Sequence, residues 1–289
     1  MTATHSRIPP RLWRRAALAV ALGAVLLLAA CGSSDDASKD NAPVAPVETL
    51  YNNGVDALNG HRYTSAIDQF NLVEQNYPYS TWAPNAQLMS AYAQYMQNHY
   101  TEAISALDRY VQLHPAGRDT AYAYYLRALC YYEQITDISR DQKGTQDAMA
   151  ALQQVVNRYP DSSYARDARL KIDLCRDHLA GKEMEIGRWY LNQHMYTAAI
   201  GRFQRVVDDY QTTNHVPEAM ARLVEIYLTL GLKDEAKRTA AVLGYNYPGN
   251  TWYADTYDQL VQDGLAQGEP VPSDIGTGGF FSRAWHSIF

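Results

Sequence analysis

Long apolar runs, strand alternation, catalytic signatures and phenylalanine are all scarce in this 289-residue chain. The one unbroken apolar stretch, Ala16 to Ala30, is 15 residues long. A membrane-spanning helix needs about 20. No segment sustains the period-two alternation of a sheet. There is no Gly-x-Ser-x-Gly elbow, His-Glu-x-x-His pair, phosphate loop or dinucleotide fingerprint, which removes the commonest enzyme classes. The eight histidines are scattered and the 31 acids form no standout pair. No catalytic residue, metal or cofactor is therefore expected. An excess of basic charge is missing too. The formal net charge is −6, and without residues 1–30, which hold four arginines and no acid, it is −10. Attraction to a phosphate backbone is not the design, so nucleic acid is excluded as a partner. Against 5 phenylalanines stand 23 tyrosines. Their two-ended side chains suit half-wet surfaces such as grooves and interfaces.

What is present is a repeat. Leu50, Tyr51, Gly54 and Ala57, then Tyr63, Ala66 and Phe70, then Pro78, fall at the offsets of a tetratricopeptide repeat, two antiparallel helices and a closing turn. Gly54 and Ala66 mark the close approach of the two helices, Phe70 fills the space beside them, and Pro78 ends the second helix for want of an N–H. One hairpin cannot bury its own apolar face and needs stacked neighbours. Ala91, Ala103, Leu107 and Tyr110 make repeat two, with Pro115 37 residues after Pro78. Ala128, Ala148, Leu152 and Val155 make repeat three, interrupted by a polar insertion from Glu133 to Thr145. An amphipathic helix over 162–180 follows, either separate or running straight into repeat four. Repeat four has Gly187, Tyr190, Ala199, Phe203 and Val206, with Gln211 where proline is expected. Repeat five has Val224, Tyr227, Ala236 and Leu243, closed by Pro248. A last helix from Thr251, with Tyr253, Tyr257, Leu260 and Val261 on one face, caps the stack. The expected fold is an all-α solenoid of about five helical hairpins over residues 47–263.

The flanks read differently. Arg11, Arg14 and Arg15 before the apolar run make residues 1–30 a signal peptide. It ends Leu28-Ala29-Ala30-Cys31-Gly32, which resembles the bacterial lipobox. That resemblance implies a mature chain starting at Cys31, acylated there and held in the membrane by a covalent lipid and no other cofactor. Two or more acyl chains make such an anchor durable. Residues 31–46 are a tether, and the 15 residues from Gly32 to Pro46 reach roughly 50 Å when extended. Residues 264–289 are rich in Gly and Pro and end in Phe281, Trp285, Ile288 and Phe289, spaced for one face of a short helix. Those four suit a docking motif for a partner or the membrane interface, or else a segment that folds back on the solenoid or stays disordered. Cys130 and Cys175 sit among apolar neighbours, which favours buried thiols over a disulfide.

Within the stack, the first helices of repeats one to three carry Tyr51, Tyr92, Tyr95, Tyr122, Tyr125 and Tyr132. On the concave face of a solenoid they make a wall able to stack on and hydrogen-bond a peptide. Each taken singly also suits plain packing between repeats.

The lipobox, tether, five repeats and insertion together resemble the BamD family, lipoproteins of the machinery that assembles outer-membrane β-barrels. Asn76-Tyr-Pro-Tyr-Ser80, the run from Arg158 to Ala168 and His178-Leu-Ala-Gly-Lys-Glu183 are similar to its alphaproteobacterial members. The resemblance spans about residues 47–263 and implies a non-enzymatic scaffold at the periplasmic face of the outer membrane. It also implies two kinds of partner. The barrel subunit BamA, with its fellow assembly subunits, is met by the C-terminal repeats through charged residues. The targeting segments of unfolded outer-membrane proteins are met by the N-terminal repeats, where the tyrosine wall lies. No contact arginine can be matched in the turn Asn214 to Glu218. A tetratricopeptide adaptor of another envelope system, Tol–Pal, division or pilus, stays open as an alternative.

Overall fold

The computed structural model describes residues 44–266. Every helix described lies in the unit that begins at Val47. Eleven helices are found among the described residues, and no strand. Repeat one is α1 (Val47–Asn59) and α2 (Tyr63–Asn76). Repeat two is α3 (Ala83–Met96) and α4 (Tyr100–Leu113), and repeat three is α5 (Thr120–Tyr132) and α6 (Lys143–Arg158). Then come α7 (Ser163–Asn192) with α8 (Tyr196–Asp209), α9 (Val216–Thr229) with α10 (Lys233–Asn246), and the cap α11 (Thr251–Gln262). The helix expected over 162–180 is the first half of α7, which runs unbroken for 30 residues into repeat four. Ser162 starts it by accepting a hydrogen bond from the Ala165 N–H at 3.1 Å.

The hairpins close by complementary volumes at one crossing. A Cβ built on Gly54 would stand 2.6 Å from the Phe70 ring, and one on Gly187 would stand 2.6 Å from Phe203. Neither can exist without displacement, so the ring occupies the notch that glycine leaves. The equivalent pairs elsewhere are Ala91 with Leu107, Ala128 with Leu152, and Val224 with Ala240, each pair buried in one core cluster. Where one side gains carbons the other loses them, as dense packing requires. At the end of the stack Gly244 of α10 gives the same room to Tyr253 of α11.

Two kinds of turn alternate. Within repeats one, two, four and five the turn holds a left-handed residue, at His61 (φ 56°), Asn98 (62°), His194 (57°) and Gly231 (74°). In the first three, a tyrosine two residues on bonds that residue's side chain: Tyr63 to His61 at 2.9 Å, Tyr100 to Asn98 at 2.8 Å and Tyr196 to His194 at 3.2 Å. These bonds help hold a conformation that disfavours side chains. Between repeats, Tyr77, His114, Tyr159, Tyr210 and Tyr247 each end a helix with φ between −126° and −134°, and each N–H reaches the carbonyl four residues back. Gln211 follows Tyr210 in place of proline and the backbone is unchanged. Proline therefore marks this turn in sequence without being needed to form it.

Repeat three breaks the first pattern. Its insertion occupies 133–142, and Lys143 to Thr145 already belong to α6, so the loop ends earlier than the polar composition suggests. Cys130 and Cys175 are free and buried in different core clusters. Burial pushes their thiols up to about 12 and about 11, which leaves both unreactive at neutral pH.

Candidate peptide-binding face

The first helices of successive repeats touch one another, α3 with α5 and α5 with α7. Side chains on that line meet within and across repeats. Tyr92 stacks on Tyr95 at 6.4 Å between centroids, and Tyr95 leans on Tyr100 of α4 at 5.8 Å. Tyr122 and Tyr125 of α5 both pack on Tyr164 at the start of α7, at 5.6 and 5.3 Å. The result is a half-buried aromatic strip across repeats two and three.

Its hydroxyls are partly committed. Tyr95 Oη donates to Glu133 Oε1 at 3.4 Å, and Tyr125 Oη donates to Asp167 Oδ2 at 2.5 Å. Lys171 Nζ stands 2.9 Å from the same Asp167 oxygen and lies over the Tyr132 ring at 5.6 Å. The Tyr92 and Tyr122 hydroxyls make no such bond to a described residue. Burial, then nearby Glu133, pushes the Tyr95 phenol up to about 12. Burial, then the neighbouring tyrosines, does the same to Tyr122. Tyr125 is raised further, by burial and by its bond to Asp167. Burial also raises the Asp167 carboxyl, but the bonds from Tyr125 and Lys171 outweigh it and hold that group below the usual range. At neutral pH Tyr95, Tyr122 and Tyr125 are thus uncharged donors, and Asp167 behind them is ionised.

The structure brings together four of the six expected residues, Tyr92, Tyr95, Tyr122 and Tyr125, and sets two apart. Tyr51 packs on Phe70 at 5.5 Å and on Trp82 at 4.9 Å, so it joins repeats one and two. Tyr132 stands with Lys171. Sequence reasoning missed Tyr164 and Trp82, although a signal existed. Both fall five residues after the closing tyrosines Tyr159 and Tyr77, and Trp252 stands at the same distance from Tyr247. That position packs back on the previous repeat's first helix each time: Trp82 on Tyr51, Tyr164 on Tyr122 and Tyr125, and Trp252 beneath the Arg222 guanidinium at 5.1 Å. Cys31 and the tail residues Phe281, Trp285, Ile288 and Phe289 lie outside the described residues.

Repeats four and five present charge along the same line of first helices. Arg188 of α7 donates from one guanidinium nitrogen, Nη1, to both carboxylate oxygens of Glu218 of α9, at 2.8 and 2.9 Å. Arg222 pairs with Glu225 at 2.9 Å. Arg188, Arg222 and Glu225 border a cavity of 510 Å³ whose wall also includes Asn192 and Tyr196. Behind it Glu183 binds Arg202 and Arg205, at 3.0 and 3.1 Å. No group of three metal-ligating side chains occurs among the described residues, and none of their helices is long and apolar enough to cross a membrane.

The sequence model of the YfiO family, described as an outer membrane lipoprotein, matches residues 43–243. The outer membrane protein assembly factor BamD of Caulobacter vibrioides is 51% identical over 250 residues, covering 86% of this chain and 82% of that protein. The chain belongs to the BamD family. The BamD of Rickettsia prowazekii is 47% identical over 80% of this chain and 91% of its own length. That of Neisseria meningitidis serogroup A is 34% identical over 80% and 90%. The match to the Caulobacter and Rickettsia proteins bears out the alphaproteobacterial resemblance. As a BamD-type assembly factor built on helical repeats, the chain is a scaffold associated with the outer membrane and its protein-assembly machinery, and not an enzyme.

Proposed function

We propose that this chain works by dividing two binding tasks between its two halves. The tyrosine strip of repeats two and three receives targeting segments of unfolded outer-membrane proteins. The charged groups of repeats four and five dock on the periplasmic part of the barrel subunit BamA. Cys31 carries the lipid that holds the scaffold at the periplasmic face of the outer membrane, and the tether over 31–46 lets the repeats stand clear of it.

The observation that carries this reading is the strip itself. Four tyrosines from neighbouring repeats share one partly exposed face, braced from behind by Asp167, Lys171 and Glu133. Rigid aromatic faces bind varied apolar side chains at little entropic cost. The two uncommitted hydroxyls add hydrogen bonds for an extended backbone. The ion pair of Arg188 with Glu218 sits on the opposite half, where a partner of fixed sequence is recognised by paired charges.

The test is site-specific photocrosslinking in envelopes, with a photoreactive phenylalanine at Tyr92 or at Arg188. The expected result is capture of unfolded barrel clients from position 92 and of BamA from position 188. Capture of BamA from both positions, with no client from either, would overturn the division of tasks. Release of the chain from membranes on Cys31→Ser tests the anchor.

A further inference from the structure

The insertion in repeat three is a built object. Between the paired core positions the other repeats span 16 residues, as from Gly54 to Phe70, whereas Ala128 to Leu152 spans 24. The extra chain is organised around Gln142, which is 9% exposed. Its amide nitrogen faces the carbonyl oxygens of Asp137, Ile138 and Arg140 at 3.3, 3.4 and 3.1 Å, and its Oε1 accepts from Thr145 Oγ1 at 3.0 Å. A buried amide that lost these partners would be left unpaired, so the loop resists partial opening.

This stiff loop is tied on three sides. At its start, Glu133 accepts the hydrogen bond from Tyr95 in repeat two. In its middle, His178 Nε2 donates to the Thr136 carbonyl at 2.9 Å and Lys182 Nζ donates to the Ser139 carbonyl at 3.0 Å, both from α7. Between those bonds Ile138 lies over Gly181. A Cβ on Gly181 would stand 3.9 Å from Ile138 and 3.3 Å from the His215 ring at the start of α9. Loop, α7 and repeat five therefore meet around one glycine.

We propose that the 133–142 insertion mechanically links the tyrosine strip to repeats four and five, through Tyr95 and Glu133 at one end and through His178, Lys182 and Gly181 at the other. A ligand that takes the Tyr95 hydroxyl releases Glu133 and loosens the start of the loop. The rest of the loop grips the midpoint of α7, a single helix shared by repeats three and four, so the change is delivered where the two halves join. Such coupling is reciprocal, and a partner that shifts α7 alters the strip by the same factor. The ligand-driven part rests on the peptide reading above. The link itself does not.

Hydrogen exchange of the full-length chain, read by mass spectrometry, tests the link without any ligand. In Tyr95→Phe, amides over 136–142 and 178–182 are expected to exchange roughly tenfold faster, the size set by one lost bond to a charged group. In His178→Ala with Lys182→Ala, faster exchange is expected over 133–142 and also over 92–98. His178→Gln, which keeps an N–H donor, is expected to restore protection. Acceleration confined to the residues flanking each substitution would overturn the proposal. If the double variant loses its helical circular dichroism, Tyr95→Phe decides alone, since it removes one hydroxyl and no packing. Clients crosslinked at position 92 without long-range exchange would sink the link and leave the peptide reading. Long-range exchange without client capture would do the reverse.

Discussion

Repeats two and three differ from repeats four and five in how they hold their first helices together. The first pair uses rings, Tyr92 on Tyr95 and then Tyr122 and Tyr125 on Tyr164, with carboxylates behind. The second pair uses an ion pair, Arg188 with Glu218, flanked within α9 by Arg222 with Glu225 and closed by Trp252. Ring contacts tolerate sliding and accept many apolar partners. A guanidinium–carboxylate pair responds instead to the charge pattern of its partner. One repeat architecture thus presents rings on one half and ion pairs on the other, set by which side chains stand on the line of first helices.

The comparison breaks most sharply at the core that both halves share. Gly187→Ala places a methyl against Phe203 and is expected to cost about 2–3 kcal/mol by overpacking, measured by urea denaturation. Gly187→Ala with Phe203→Leu recreates the pair found in repeats two and three and should recover most of that loss. If the double variant were no more stable than the single one, complementary volume would not be the rule of the stack.

A middle-sized effect separates the faces. Tyr122→Ala is expected to weaken capture of an unfolded-client peptide by about 1–2 kcal/mol in a fluorescence anisotropy titration, and to leave BamA binding unchanged. Arg188→Ala should do the opposite, and should cost about 1 kcal/mol of stability, because the pair it breaks is partly exposed. Raising salt sharpens the same contrast. Binding through repeats four and five should weaken as the Debye length contracts, while peptide binding to the rings changes little.

The smallest effects are in pH. The Tyr95 and Tyr122 phenols are raised to about 12, so the stability they contribute is fully present below about pH 10 and is lost as pH rises through 12. Absorbance at 295 nm should show a class of phenols that ionises only near pH 12, together with loss of helix signal. Asp167 is lowered. Its contribution is present above the ordinary aspartate range and is lost as pH falls through the depressed value. Tyr125→Phe should flatten that acid-side loss in a stability profile.

Much of the fold was legible because a repeat states its rule several times. Gly54, Ala91, Ala128 and Gly187 recur at one slot, and a closing Tyr or His recurs before each turn. Gln211 shows why the proline was only a marker: the backbone of Tyr210 makes the turn. The length of α7 was left open, since no breaker separates 162–180 from repeat four and apolar spacing cannot say whether a helix bends. The site was half legible. Residue type and helix position placed Tyr92, Tyr95, Tyr122 and Tyr125 on one line. The same criteria also placed Tyr51 and Tyr132 there, because spacing within a helix does not report what the neighbouring helix brings. Tyr164, Asp167 and Lys171 come from a helix assigned to a different unit and enter only through contact.

The sequence alone determined the hairpins, their order and their small-against-large crossings, because these depend on residues a fixed distance apart. Tertiary structure decided which tyrosines share a face and which carboxylates hold them. It also decided that a polar insertion, organised by one buried glutamine, is tied to α7 through His178 and Lys182. Those outcomes depend on residues about 40 positions apart, brought within 3 Å by stacking, and no local pattern encodes that distance.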